Sequence, residues 1–538
     1  MKRILALMLI IIMTASCIAG CSGEVPEETT GPAVTETTAD ETTQPVTEPV
    51  TTEEETTQEP ETEPVTFEEF VITPDEEAEL AVALMFGDLM VLQHDAVITV
   101  WGTSNKEGAK IRGMFMDDEA RGEVVDGKWE IKFSPKPVTK EPQTMTIDDS
   151  CGNTVTFSDV LVGDVWLIGG QSNAEATGND IPQAYKDVDP NEDRLLRILH
   201  QGADDVLNRR AEAKKPREDL INPRRQWTKE TKKAAANSTL LGVFLGERLA
   251  DETGIPIGII CIAANGAKLC ELMPSEMCKE FKYTVGGGVG VAEFYNGLIH
   301  PFLRIKFKGM VFFQGESEGF TGSNPTPKKY DRDLKAYFTE LRSRWGFDFP
   351  VYNVQLSDYT IQSAAGSANT GYVRAQQYNA YLNMENTRII PSYDLGGDDK
   401  DPNYMHSPKK KALGDRIANL VLADLYGIGS ADDALAPEPV EIKLSDDKTY
   451  ATVRFKNVGE GLVSKGGEGK FNGFEAGKIT KLTAVEAEII SKDTVKVYLP
   501  SGSLTGIAYA CAPHVAANDV QLYNSNGLPA VAFYMYLD

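Results

Sequence analysis

Val165-Trp166-Leu167-Ile168-Gly169-Gly170-Gln171-Ser172-Asn173 is the stretch from which the fold can be read. Four apolar residues bounded by glycine predict a buried strand ending in a tight turn. A serine at that turn lies at the carboxyl edge of a sheet, where open α/β folds bind their ligands. If a helix starts at Ala174, Ser172 also sits near a helix N-terminus, whose N–H groups favour negative charge. A serine nucleophile needs such a place. Position 174 is Ala, so the spacing is not the Gly-x-Ser-x-Gly elbow. An ordinary turn remains the alternative reading of the pentapeptide.

Outward from this stretch, strand-like runs alternate with helical patterns. The strands are Val165–Ile168, Ile257–Ala263, Met310–Phe313, Val351–Leu356 and Arg388–Ile390. The helical patterns are Leu241–Glu252, Tyr330–Arg344, Thr370–Met384 and Lys409–Tyr426. The alternation predicts an α/β domain over 161–430, a mainly parallel sheet with helices on both faces. Before it, residues 80–160 hold short β-rich runs such as Val97-Ile98-Thr99-Val100-Trp101 and Trp129-Glu130-Ile131-Lys132-Phe133, with Asp126-Gly127 as a turn. They predict an N-terminal β-sandwich. After it, Ala451-Thr452-Val453-Arg454-Phe455 and Thr494-Val495-Lys496-Val497-Tyr498 predict a C-terminal β domain over 431–538.

The N-terminal end has a different composition. Lys2 and Arg3 precede the apolar run Ile4–Met13, which is short for a bilayer span. Ile18-Ala19-Gly20-Cys21 then resembles a bacterial lipoprotein lipobox, with Cys21 as the acylated residue and 1–21 as the signal peptide. Residues 22–79 are rich in Thr, Glu and Pro, with 19 acidic side chains and no Lys or Arg. Such a segment cannot bury enough apolar area to offset its ordering entropy, so it reads as a disordered tether. The whole chain carries −27; setting aside the −19 of the tether and the +2 of residues 1–21 leaves −10 for the body. That acidity excludes nucleic acid as a partner. The expected location is extracellular, with the body lipid-anchored to the outer face of a bacterial membrane. Membrane contact is expected only through that lipid. Beyond Cys21, five scattered cysteines (Cys151, Cys261, Cys270, Cys278, Cys511) form neither a disulfide framework nor a zinc pattern, though Cys270 and Cys278 could pair if brought close.

Acyl transfer needs a nucleophile, a base and oxyanion donors. Of five histidines, His94 and His514 lie in the β segments, while His200 and His300 adjoin apolar runs. His406 sits in a polar loop just before a helix, able to reach across a sheet edge to Ser172. Two segments end strands of the same sheet. One, Ile259 to Gly266, brings backbone N–H groups to a small-residue turn. The other, Met310 to Ser317, ends with Gln314 and Glu316, which either serve the oxyanion or cap the next helix.

Taken in order, these blocks resemble the sialate O-acetylesterase family of the SGNH (GDSL-type) hydrolases. The resemblance rests on Met90-Val91-Leu92-Gln93, Val162–Trp166 with Gly170–Asn173, Ile255–Gly258 with Asn265-Gly266, Tyr295–Pro301 and Phe313–Ser317. It continues through Val373–Gln376, His406–Arg416 and Leu522–Ala530. It implies a three-layer α/β/α serine esterase that hydrolyses acetyl esters on sugars, with no cofactor or metal and an acetylated glycan as partner. Ser172 would be the nucleophile and His406 the base, with the N–H groups of Ser172 and Gly266 and the Gln314 side chain binding the oxyanion. Asn173, Asn265, Glu316 and Arg374 would support the site or contact substrate. The family's acid three residues before the histidine is Asn403 here, so Asp401 is the candidate third member; Asp398 and Asp399 are also close in sequence, Glu316 is an alternative if the fold brings it close, and a dyad is the runner-up. Other readings are a catalytically impaired glycan-binding lipoprotein and an esterase for acetylxylan or other acyl groups.

Overall fold

Residues Thr154–Gly170 form a single strand of 17 residues, and its two halves bury differently. The first half, Thr154-Val155-Thr156-Phe157-Ser158-Asp159, alternates in exposure and pairs antiparallel with Thr139–Asp149. From Val160 onward every residue is buried, as expected for a strand covered on both faces. There it pairs in parallel with Ile257–Cys261 on one side and Gly309–Phe313 on the other. The strand therefore runs through residues 160–161, where the sequence reading divides two domains. The computed structural model describes residues 69–283, 290–319, 327–357, 370–397, 405–501, 505–511 and 520–537.

Around this strand the sheet order is Thr228–Lys229, Leu196–His200, Ile257–Cys261, Thr154–Gly170, Gly309–Phe313, Val351–Gln355, Thr387–Pro391. All neighbours are parallel except the edge strand Thr228–Lys229. Helices cover both faces. Gly242 and Gly246 bring Leu240–Thr253 onto Ile168, Ile259 and Leu196, and Gly414 of helix Lys410–Val421 abuts Phe244. On the opposite face Phe312 meets Tyr337 and Phe338 of helix Tyr330–Trp345. This is a three-layer α/β/α arrangement.

The N-terminal strands attach to the sheet rather than standing apart. Val91–Gln93 pairs in parallel with Leu161–Gly163. Gln93 then donates to Asp164 Oδ1 (2.9 Å) and accepts from the Val165 N–H (2.9 Å), which gives the Met90–Gln93 block a structural role. A three-stranded sheet of Leu80–Val82, Ile98–Ser104 and Lys128–Phe133 lies over the Lys110–Phe115 hairpin, with Ile111, Phe115, Ile131, Phe133 and Ile147 buried between. Order also begins earlier than residue 80. Thr73 and Asp75 donate their N–H groups to Ser150 O and Cys151 O, and Phe70 lies under the Arg112 guanidinium. An aromatic ring and two extended backbone bonds fix the end of a segment that composition assigns to the tether.

At the other end, seven antiparallel strands between Glu438 and Tyr536 make the C-terminal sheet. It packs on helix Thr370–Tyr381 through Tyr378 and Phe533, and Gln355 exchanges two 2.8 Å hydrogen bonds with the Ala532 backbone. Cys151, Cys261, Cys270, Cys278 and Cys511 are buried; Cys278 Sγ lies 3.0 Å from the Cys270 carbonyl oxygen, and the pairing of Cys270 with Cys278 does not form. Among the described residues no helix is long and apolar enough to cross a membrane.

Candidate active site

The site grows from the end of the long strand. Gly170 has φ +129°, and a Cβ there would lie 2.0 Å from the Phe313 carbonyl oxygen. Only glycine fits, because this region is closed to side chains and the neighbouring strand is already in contact. The chain turns, and Ser172 becomes the first residue of a one-turn helix, Ser172–Glu175. Gln171 locks this turn to the next strand end: its Oε1 accepts from Gly315 N, Ser317 N and Gln314 Nε2, each at 3.2 Å.

His406 Nε2 lies 2.9 Å from Ser172 Oγ, within reach for proton transfer. Burial, then the Lys410 charge, lowers the imidazole pKa to about 4, opposed by Asp180. At neutral pH the ring is therefore uncharged, the form that can accept a proton from serine. Asn173, fully buried behind Ser172, ties the histidine loop down. Its Nδ2 donates to Glu316 Oε1 (2.6 Å) and to the Met405 carbonyl (3.2 Å), while its Oδ1 accepts from Lys410 Nζ (2.5 Å). Glu316 is buried, and burial raises its carboxyl to about 6 against the Asn173 hydrogen bond and the Lys410 charge. Burial lowers Lys410 to about 7, and Glu316 partly restores it.

On the other side of Ser172 stands the Ala264–Ala267 turn. Ala264 N donates to Gly170 O (3.0 Å), and Asn265 N donates to the Glu175 carboxylate. Ser317 Oγ donates to Gly266 O at 3.0 Å. Gly266, at φ +73°, has open space where a side chain would be, and the Asn265 side chain is exposed at the rim. The backbone N–H groups of Ser172 and Gly266 make no hydrogen bond among the described residues. Both remain available as oxyanion donors.

Gln314 is a different matter. Its amide is fully buried, and Nε2 donates to Glu318 Oε2 (2.5 Å), Ala267 O (3.1 Å) and Gln171 Oε1 (3.2 Å), while Oε1 and the Gln314 carbonyl face Tyr330 OH. Two N–H bonds facing three internal acceptors leave none for a substrate, so the expected oxyanion role of this side chain is corrected to a structural one. Gln314→Ala should therefore lower stability by about 1–3 kcal/mol per buried partner left unpaired, with kcat per folded molecule within about tenfold of wild type. Losing an oxyanion donor would instead cost about 10²–10³ in kcat. Urea denaturation beside active-site-titrated kinetics separates the two.

Of its two expected roles, support or substrate contact, Arg374 is placed for support. It is fully buried in helix Thr370–Tyr381, donates from Nε to Ala510 O (2.9 Å) and lies near the Tyr393 ring, joining the α/β domain to the C-terminal strands. Asp401, with Asp398, Asp399 and Asn403, lies outside the described residues. Of the other histidines, His200 accepts from Thr239 N (3.1 Å), His300 pairs with Arg217 O (2.6 Å) and His94 with Asp95 (2.7 Å), all away from Ser172. His514 lies outside the described residues.

Residues 162–423 match the family model described as carbohydrate esterase, sialic acid-specific acetylesterase. This segment is similar to the sialate O-acetylesterase family. The chain is 28% identical to the sialate O-acetylesterases of Pongo abelii and Homo sapiens over 324 residues, 54% of this chain and 58% of each relative's length. It therefore spans under two thirds of those proteins. A carbohydrate acetylesterase from Xanthomonas citri is similar in fold, with TM-score 0.71 and 24% identity, over 85% of this chain and 99% of that one. Lys410 is the residue of this site that the sequence reading missed. Its signal was there: Lys410, Leu413, Gly414, Ile417 and Val421 repeat at helical spacing and are all buried, so Lys410 falls on the core stripe.

Proposed function

We propose that this protein is a carbohydrate O-acetylesterase that hydrolyses acetyl esters on sugars through an acyl-enzyme on Ser172. The observation that carries the reading is the 2.9 Å contact between His406 Nε2 and Ser172 Oγ, beside two uncommitted backbone N–H groups. Ser172 Oγ attacks the acetyl carbonyl as its proton passes to His406 Nε2. The N–H groups of Ser172 and Gly266 hold the oxyanion. Collapse breaks the C–O bond to the sugar, whose oxygen takes the proton from His406. Water, deprotonated by His406, then attacks the acetyl-serine and releases acetate and Ser172. Asp401 is kept as the candidate third member on its sequence position alone. The reaction as written draws on no cofactor. The flanking β-sandwich-like elements brace the α/β domain at both ends.

Acetate release from a panel of acetylated sialosides, acetylated xylan and longer-acyl esters tests this reading. Acetyl sugars should turn over fastest, and Ser172→Ala should lose about 10⁴ or more of that rate. Activity that rises with acyl-chain length, or equal rates in the variant, would refute it.

The lipobox-like Ile18–Cys21 and the acidic 22–79 segment support a second proposal: the mature chain is anchored by lipid on Cys21 at the outer face of a bacterial membrane. Detergent-phase partitioning should follow Cys21, with the wild-type chain in the detergent phase and Cys21→Ala in the aqueous phase. Co-partitioning of both would rule it out.

A further inference from the structure

A cavity of about 520 Å³ opens beside the edge strand Thr228–Lys229, away from Ser172. That volume is in the range of small-ligand sites. Four cations, Arg224, Arg225, Lys229 and Lys233, line it against one acid, Glu192. The chain as a whole has 80 acidic and 53 basic side chains, so this local excess runs against the global balance. Two of the cations are already committed, Arg225 to Asp205 (2.8 Å) and Lys229 to Asp159 (3.2 Å). The side chains of Arg224 and Lys233 make no hydrogen bond or ion pair among the described residues.

The rest of the lining suits a hydroxylated ring rather than a bare ion. His200 reaches the cavity, and the Thr239 N–H donates to its Nδ1 (3.1 Å), which leaves Nε2–H as a donor. Burial and the Arg225 charge keep that ring neutral, with a pKa lowered to about 4. Trp227 lies buried in the wall with its indole N–H committed to Met85 O (2.8 Å), while Thr228, Thr231 and Ser238 add hydroxyls. Donors, hydroxyls and uncompensated positive charge together match a sugar ring bearing a carboxylate.

We infer that this cavity is a non-catalytic binding site for a carboxylate-bearing sugar unit of an acidic glycan. It goes beyond the esterase reading and does not need it. The two sites are nonetheless joined: Asn179 Nδ2 donates to Asn237 Oδ1 (3.0 Å) on the cavity wall, and Thr239 Oγ1 donates to Ala174 O (2.5 Å), two residues after Ser172. A polymer held here would keep its neighbouring units near the sheet edge that carries the serine.

Calorimetric titration of the full chain tests the inference, using a glucuronic-acid-containing oligosaccharide, a neutral glucose oligosaccharide of equal length, and inorganic sulfate. The acidic saccharide should bind saturably and at least tenfold more tightly than either other probe. The double variant Arg224→Glu/Lys233→Glu should lose that binding by at least tenfold. Lys478→Glu/Lys481→Glu, which makes the same change in net charge on the exposed C-terminal sheet, should keep it. Circular dichroism reports whether the variants fold, and Arg224→Gln/Lys233→Gln replaces the first pair if it does not. Equal affinity for the neutral saccharide or for sulfate overturns the inference, as does equal loss in both charge-reversed pairs. Binding by Ser172→Ala must match wild type, so failure of the esterase reading leaves this test intact.

Discussion

Replacing Ser172 with alanine should lower kcat for acetyl-ester hydrolysis by about 10⁴ or more, and His406→Ala should cost a similar factor. The more telling result is the double variant, expected to be no slower than either single variant. Ser172 Oγ and His406 Nε2 lie 2.9 Å apart and can act only as a unit. Once the hydroxyl is gone the imidazole has no proton to take, and once the imidazole is gone the hydroxyl is a poor nucleophile. Residual rate over water should survive in all three, because the N–H groups at 172 and 266 belong to the backbone and remain in each variant. Single-turnover acetate release from an acetylated sugar measures the losses. Multiplicative losses, with the double near 10⁸, would mean that the two residues work in separate steps, and a single variant within tenfold of wild type would end the proposed mechanism.

How much of this was legible beforehand depends on where the signal resides. The strand before Ser172 is visible because Val165–Ile168 is uniformly apolar and Gly170 punctuates its end; its burial on both faces follows from the parallel neighbours that the alternation implies. His406 was legible by elimination among five histidines. The strand Leu196–His200 was not, because Arg197 interrupts its apolar run. Arg197 is buried there through main-chain acceptors and a 3.5 Å approach to Asp159, partners that no local pattern reports. Gln314 shows a similar limit. Residue type announces an amide at a strand end, but its direction is set by Glu318, Gln171 and Tyr330, which arrive from four to 143 residues away. Lys410 failed for the opposite reason: a run of three lysines reads as solvent-facing, although the helical period puts the middle one in the core.

That buried lysine should control the acid limb of the pH–rate profile. His406 must be neutral to take the serine proton, and with its pKa held near 4 it stays neutral well below neutral pH. Part of that depression comes from the Lys410 ammonium, which repels a second positive charge. Lys410→Met removes the repulsion, so the imidazole pKa rises and the acid limb moves to higher pH. Burial, the larger cause, remains, so the limb should stop short of the ordinary histidine value of 6.5. Lys410→Arg keeps the charge and should leave the limb in place. Both substitutions disturb the 2.5 Å bond to Asn173 Oδ1, and through Asn173 the Met405 carbonyl that positions His406, so kcat at the optimum should fall by about 10–10² in each. Stability carries a second signature. Folded Lys410 loses its proton near pH 7, whereas the unfolded chain holds it to about 10.5. The unfolded state therefore binds more protons between those values, and wild-type stability gains from Lys410 as pH rises through that window. Urea midpoints at pH 7 and 9.5 should show the gain in wild type and its loss in Lys410→Met. Identical acid limbs in the Met and Arg variants would show that the ammonium has no electrostatic hold on His406, leaving Lys410 only a packing role.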